Sequence, residues 1–235
     1  MGLSNVSFSY GERHILEGVC LNFEPGKTYA IVGENGSGKS TLINLITGLL
    51  VPSRGNVFFD GINIHNNLEQ FRSHIGYVPQ DTMLLNESIE SNITFCRNAV
   101  SEHALEEVLH ICEVDVIMKT NSMSIDTVIG EKGNKLSGGQ KQKIALSRAL
   151  YRKPKLLIID EGTSNIDSDT EERILKRVKS VYPDMTIIIV SHRLSTVRKA
   201  DRIIVLDKSQ VAENGEYAQL LDNGTVFRKI FANQI

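Results

Sequence analysis

The run Gly33-Glu34-Asn35-Gly36-Ser37-Gly38-Lys39-Ser40-Thr41 has the residue types of a phosphate cradle. Its glycines let successive backbone N–H groups converge on anionic oxygens. A helix opening directly after them adds a partial positive charge at the same point. Lys39 is placed to reach the β- and γ-phosphates of a nucleotide, and the Ser40 hydroxyl suits Mg2+. Asn35, Gly36, Ser37, Gly38 and Thr41 complete the candidate nucleotide contacts.

A second element fits the first. Leu156-Leu-Ile-Ile-Asp160-Glu161 is an apolar strand ending in two acids. Ligands of α/β sheets bind at that end of a strand. Asp160 would hold Mg2+ directly or through water, and Glu161 would polarise an attacking water. These two elements define a P-loop NTPase. Leu136-Ser137-Gly138-Gly139-Gln140 is a second Gly-rich helix start far along the chain, and its N–H groups can also bind an anion. Such a distant second anion site is more naturally supplied to a nucleotide held by another chain.

The surrounding pattern supplies the frame. Residues 3–9 and 18–23 alternate as half-buried strands around a turn at Tyr10–Gly11. Thr28–Val32 reads as a strand leading into the glycine loop. Leu42, Ile43, Leu45, Ile46, Leu49 and Leu50 then form the apolar face of a helix expected to stop at Pro52. Residues 84–150 have almost no strand signal, and helices are expected at 101–112 and 137–151. Leu156–Ile159, Thr186–Val190 and Ile203–Leu206 are continuous apolar runs suited to parallel strands. A helix is expected to start near Ser168, capped through Glu171. The result is one β-rich nucleotide core, residues 1–235, interrupted by a helical lobe at about 82–150.

The net charge of −2 gives no general attraction to nucleic acid or an anionic surface. The apolar runs are strand-sized, whereas a membrane span needs about 20 residues. Cys20, Cys96 and Cys112 have no metal or disulfide spacing and are expected in or near the core of a protein from a reducing compartment.

With Leu136–Gln140 following the phosphate loop and preceding the acidic strand, the chain resembles the ATP-binding cassette ATPases along essentially its whole length. The resemblance implies an α/β fold: a P-loop NTPase core with a mostly parallel sheet, an N-terminal antiparallel β subdomain and an inserted α-helical subdomain. It implies two ATP molecules in a head-to-tail dimer, each between one chain's phosphate loop and the other's Ser137-Gly138-Gly139-Gln140. Tyr10 falls where the family stacks an aromatic on adenine. Gln80 matches the loop glutamine that senses Mg2+ and touches a membrane partner. Asp167 ends the loop that crosses the dimer interface, and His192 matches the switch histidine near the γ-phosphate. The implied catalytic set is Glu161, His192, Gln80 and Lys39; the implied Mg2+ set is Ser40, Gln80 and Asp160.

Thr127–Gly133, Glu87–Ile89 and Asn92-Ile93 are similar to the family's exporters. Gly162 replaces those exporters' usual Ala, Asn165-Ile166 replaces Ala-Leu, and Met118–Ile125 lacks a Pro-x-Gly. The expected partners are a second nucleotide-binding domain and transmembrane domains, on the same or another chain, at the cytoplasmic face of a membrane. No nucleic-acid partner is expected. Met1-Gly2 runs straight into the first strand, as at the edge of an excised domain. The alternatives are an importer's cassette or a soluble ATPase of the same family acting on nucleic acid or ribosomes.

Overall fold

The computed structural model describes residues 1–95 and 100–234. The chain forms two compact units, one of Met1–Ile75 with Thr186–Ile235 and the other of Gly76–Met185.

The first unit opens with β1 (Gly2–Tyr10) and β2 (Arg13–Asn22), antiparallel around the tight turn at Gly11. β3 (Thr28–Gly33) is buried at every position and leads through the glycine loop into α1 (Lys39–Ile46). β4 (Arg54–Phe59), β5 (Ile62–Asn63) and α2 (Leu68–Ser73) follow. β4 pairs antiparallel with β1, giving a four-stranded sheet in the order β2-β1-β4-β5.

The second unit begins at β6 (Ile75–Val78) and continues with α3 (Ile89–Thr94), α4 (Glu102–Ile111), α5 (Val114–Thr120), α6 (Gly138–Tyr151), β7 (Leu156–Asp160) and α7 (Ser168–Val181). β7 lies beside β6. Between 84 and 150, the described residues hold a single isolated bridge, Ser88 with Val128. That bridge joins two of the three segments that resemble exporters. Ile89 N–H donates to Thr127 O at 3.2 Å, and Ile129 N–H to Glu87 O at 3.1 Å.

The chain then returns to the first unit with β8 (Thr186–Val190), α8 (Leu194–Val197), β9 (Arg202–Asp207), β10 (Gln210–Gly215), α9 (Tyr217–Asn223) and α10 (Thr225–Ile230). Here β3 lies between β8 and β9, parallel to both, and β10 adds an antiparallel edge. The uninterrupted apolar runs of β3, β8 and β9 are buried because helices cover such strands on both faces.

Three local expectations are corrected. α1 stops at Ile46, well before Pro52. Gly48 takes φ 67°, and a Cβ there would lie 2.6 Å from Leu68 Cδ2, so the chain leaves the helix at this glycine. Leu49, counted on the apolar face, is 60% exposed as a result. α7 is capped by Asp167, whose Oδ1 accepts from Thr170 N–H at 2.9 Å. Glu171 is instead buried and accepts the Thr163 hydroxyl hydrogen bond. Cys112 is buried, but Cys20 is exposed on the edge strand β2; Cys96 lies outside the described residues.

Within the second unit, Glu113 links the α4–α5 junction to two further helices. It takes a left-handed φ of 57° between α4 and α5 and is only 7% exposed. Lys143 of α6 lies 3.1 Å from its carboxylate, Arg173 of α7 3.1 Å and Arg177 of α7 3.5 Å. Burial alone would raise its pKa, but the bonds from Arg173 and Lys143 outweigh it and hold the carboxyl below its usual range. A depressed folded pKa contributes stability above the unfolded value. That contribution disappears as pH falls through the folded value. Glu113→Gln is expected to lower stability at pH 7 by about 1–3 kcal/mol. Thermal melts should show the gap between variant and parent narrowing on the acid side. A gap independent of pH would remove the ionised carboxylate from the account.

Candidate functional site

In the first unit the phosphate loop is shaped by contacts that only glycine satisfies. A Cβ on Gly33 would lie 2.4 Å from Ser37 Oγ and 2.6 Å from Leu206 O. Gly36 and Gly38 take φ of 82° and 101°, turning the chain so that α1 begins at Lys39. Lys39 is only 9% exposed. Its Nζ donates to Gly33 O at 2.8 Å and Glu34 O at 3.0 Å, so the ammonium is folded over its own loop. Ser37 Oγ is buried without a hydrogen-bond partner. A buried hydroxyl without a partner, in a loop that also carries a buried ammonium at a helix start, fits the binding of an anion. Asn35, Gly36 and Ser40 are exposed along the loop, while Thr41 is buried in the first turn of α1.

Tyr10 ends β1 at 52% exposure, with Phe8 edge-on against its ring at 4.8 Å. The Tyr10 ring is thus half exposed at the end of the strand. His192 is exposed just beyond β8, and its C=O accepts from Gln234 Nε2 at 3.1 Å.

In the second unit Asp160 and Glu161 stand together at the end of β7. Tyr77 OH donates to Asp160 Oδ2 at 3.3 Å, and burial, with Asp160 adding to it, pushes the phenol up to about 12. Gln80 Nε2 donates to Glu161 Oε2 at 2.9 Å. Glu161 has φ 52°, a left-handed conformation costly for a residue with a side chain and common at sites of chemistry. The next residue explains a departure from the exporter pattern. A Cβ on Gly162 would lie 2.5 Å from Val78 Cγ1 and 2.9 Å from Val78 O, leaving no room for Ala.

The Gly-rich start of α6 is also in this unit. Ser137 and Gln140 form the reciprocal capping box that their spacing predicts, at 2.9 and 3.3 Å. Gly138 and Gly139 pack on the loop before α7, where a Cβ at 139 would meet Asn165 O at 2.7 Å. Gln142, not singled out in the sequence, makes this packing specific. It is 1% exposed; its Oε1 accepts from Asn165 N–H at 2.8 Å and its Nε2 donates to Ser164 Oγ at 3.3 Å. A polar residue at a buried position of α6 is the signal that could have revealed it. Asp167, expected at a nucleotide, is engaged as the α7 cap, and the Thr170 N–H holds its carboxyl below its usual range.

No cluster of three or more His, Cys, Asp or Glu among the described residues could enclose a metal. Within each unit the donors are hard oxygens, Ser40 in the first and Asp160 and Gln80 in the second, a chemistry that suits Mg2+, which keeps waters and substrate phosphates as ligands and needs no all-protein cage.

Residues 16–164 match the family profile described as ABC transporter. The chain belongs to the ABC transporter family. It is 36% identical over 231 residues to the ATP-dependent lipid A-core flippase of Francisella tularensis, covering 97% of this chain and 38% of that protein. It is 40% identical over 237 residues to the mitochondrial ABC transporter B family member 24 of Arabidopsis thaliana, covering all of this chain and 35% of that protein. The solved structure of a bacterial Atm1-family ABC exporter with ATP bound superposes with a TM-score of 0.93 at 35% identity, over 99% of this chain and 41% of that one. The chain thus spans well under half the length of these ABC relatives. The α/β cassette fold expected from the sequence is the fold observed. The family match ends at residue 164, before Asp167 and His192.

Proposed function

We propose that this chain binds and hydrolyses Mg-ATP as the nucleotide-binding cassette of an exporter, closing head to tail on a second cassette. The observation that carries the reading is the pair at the end of β7, with Glu161 held at φ 52° and hydrogen-bonded to Gln80 beside Asp160. Backbone strain at a carboxylate, after a strand that ends in two acids, suits a positioned general base.

On this reading Tyr10 stacks on the adenine. Asn35–Thr41 cradle the phosphates, with Lys39 swinging from Gly33 O and Glu34 O onto the β- and γ-oxygens. Ser40, Asp160 and Gln80 hold Mg2+, which neutralises charge developing on the phosphates. Glu161 orients the attacking water and takes its proton, and His192 bonds the γ-phosphate. Ser137, Gly138, Gly139 and Gln140 present their helix start to the nucleotide of the partner chain, with Asp167 at the interface. Within the Gly76–Met185 unit, the helical subdomain comprises about 82–150.

Export is favoured by the names of the flippase and exporter relatives and by the paired segments Glu87–Ile89 and Thr127–Ile129. No helix of the described residues is long and apolar enough to cross a membrane. Transmembrane domains are therefore the proposed partners, on this polypeptide or another, with the cassette at the cytoplasmic face. Nucleic acid is not a proposed partner.

If each site is completed by a second chain, specific ATPase activity must rise with protein concentration. Phosphate release measured over a wide dilution series is expected to curve upward before it saturates. A constant specific activity would place a complete site within one chain.

A further inference from the structure

α10 is mounted behind the two nucleotide-facing loops of the first unit. The Glu213 carboxylate of β10 accepts from the N–H groups of Thr225, Val226 and Phe227 at 2.7, 2.8 and 3.0 Å. Phe227 and Phe231 share one buried cluster with Val32 of β3 and with Leu194 and Val197 of α8. The helix is thus fixed at its start by charge-assisted bonds and along its length by apolar packing.

From this mount two polar arms reach the loops. Lys229 Nζ lies 2.9 Å from Glu34 Oε1, inside the phosphate loop. Gln234 is aimed by a turn closed by its own N–H onto Phe231 O at 2.8 Å. Its Oε1 accepts from Leu194 N–H at 2.9 Å and its Nε2 donates to His192 O at 3.1 Å. One carboxamide therefore spans the backbone on both sides of Arg193, and the donor and acceptor partners permit only one orientation of the amide.

We propose that α10 and the turn after it form a brace that holds the phosphate loop and the switch loop in one frame, with Gln234 a positioning residue for His192. The inference rests on the assignment of His192 to the γ-phosphate. The two arms differ in strength. Lys229 and Glu34 are both exposed, so salt screens that arm. The Gln234 arm is neutral and keeps its effect at high ionic strength. Without it, the backbone carrying His192 has fewer fixed points, and the imidazole spends less time where it can bond the γ-phosphate.

The test compares Gln234→Ala, His192→Ala and the double variant at one saturating protein and Mg-ATP concentration, in low and high salt. A fluorescent ATP analogue reports binding, and the His192 ring Cε1–H resonance, assigned by its loss in His192→Ala, reports position. Gln234→Ala is expected to lower kcat about 5–30-fold, the effect of losing two neutral hydrogen bonds, in both salts. Nucleotide affinity should stay unchanged, and the His192 resonance should shift or broaden. In the His192→Ala background the further loss should be under about 2-fold, because the effect passes through His192. Equal losses in both backgrounds with an unmoved resonance would mean a general structural role and overturn the proposal. Wild-type kcat for Gln234→Ala beside a crippled His192→Ala overturns the brace alone. Wild-type kcat for His192→Ala overturns the switch assignment and the brace with it.

Discussion

Glu161→Gln is expected to lose hydrolysis by about 10²–10⁴-fold, the usual contribution of a general base, and to accumulate as an ATP-bound dimer. Gln keeps the shape and one oxygen of the side chain but cannot take a proton from water. The Gln80 amide can still donate to that oxygen as it does to Glu161 Oε2, so the local hydrogen bond survives. One negative charge is removed near the proposed triphosphate, which favours ATP if it acts at all. With the γ-phosphate intact, nothing ends the closed state. Size-exclusion chromatography with Mg-ATP, alongside phosphate release, reads both consequences. Near-parental hydrolysis would move the catalytic role off Glu161, most directly to His192. An inactive variant that stays monomeric in saturating ATP would remove the closed dimer as the hydrolysing species.

Ser137→Arg and Lys39→Ala should fail in different ways. The Arg side chain fills the start of α6 where the partner's nucleotide would seat, so hydrolysis is abolished while the chain still binds ATP on its own loop. Some of the change is local, because Ser137 Oγ accepts from Gln140 N–H, and losing such a cap costs about 1 kcal/mol. A Ser137→Ala control loses the cap and the hydroxyl without adding bulk, so it should lose less activity than Ser137→Arg, and the difference reads the steric block. Lys39→Ala removes the ammonium held over the loop by Gly33 O and Glu34 O, and truncating a charge paired with phosphate costs about 2–5 kcal/mol of binding. Titration with a fluorescent nucleotide separates the two. Equal loss of affinity in both variants would contradict separate roles for the two anion-binding helix starts.

What was legible in the sequence was local and periodic. The runs of β3, β7, β8 and β9 read as buried strands because burial on both faces leaves no alternation to confuse them. Ser137 and Gln140 were readable as a cap because the box has a fixed spacing. Where the sequence misled, a backbone preference was outweighed by something not adjacent in the chain. Leu49 continues the α1 pattern, yet Gly48 has turned against Leu68 and the helix has ended. Ser168 with Glu171 has capping spacing, yet Asp167 is the better acceptor and Thr163 claims Glu171. At the candidate site the motif residues were legible, but their neighbours were not. Gln142, Tyr77 and Gln234 act through partners 23, 83 and 40–42 positions away, separations no periodic pattern reports.

The tight approach of Gly162 to Val78 bears on how this protein can be engineered. Replacing an unusual residue by the one its relatives prefer is a common route to higher stability. Applied here, that rule would install Ala beside Glu161, the proposed general base. Trimming Val78 would relieve only one of the two clashes, because the carbonyl of residue 78 stands 2.9 Å from the new methyl and belongs to the backbone. Relief therefore requires β6 to retreat, and the chain leading from β6 to Gln80 would move with it. Positions 78, 80, 161 and 162 should accordingly be treated as one unit of variation: Ala after the glutamate needs room that this strand backbone does not leave, and grafting the single residue would transfer the methyl without it.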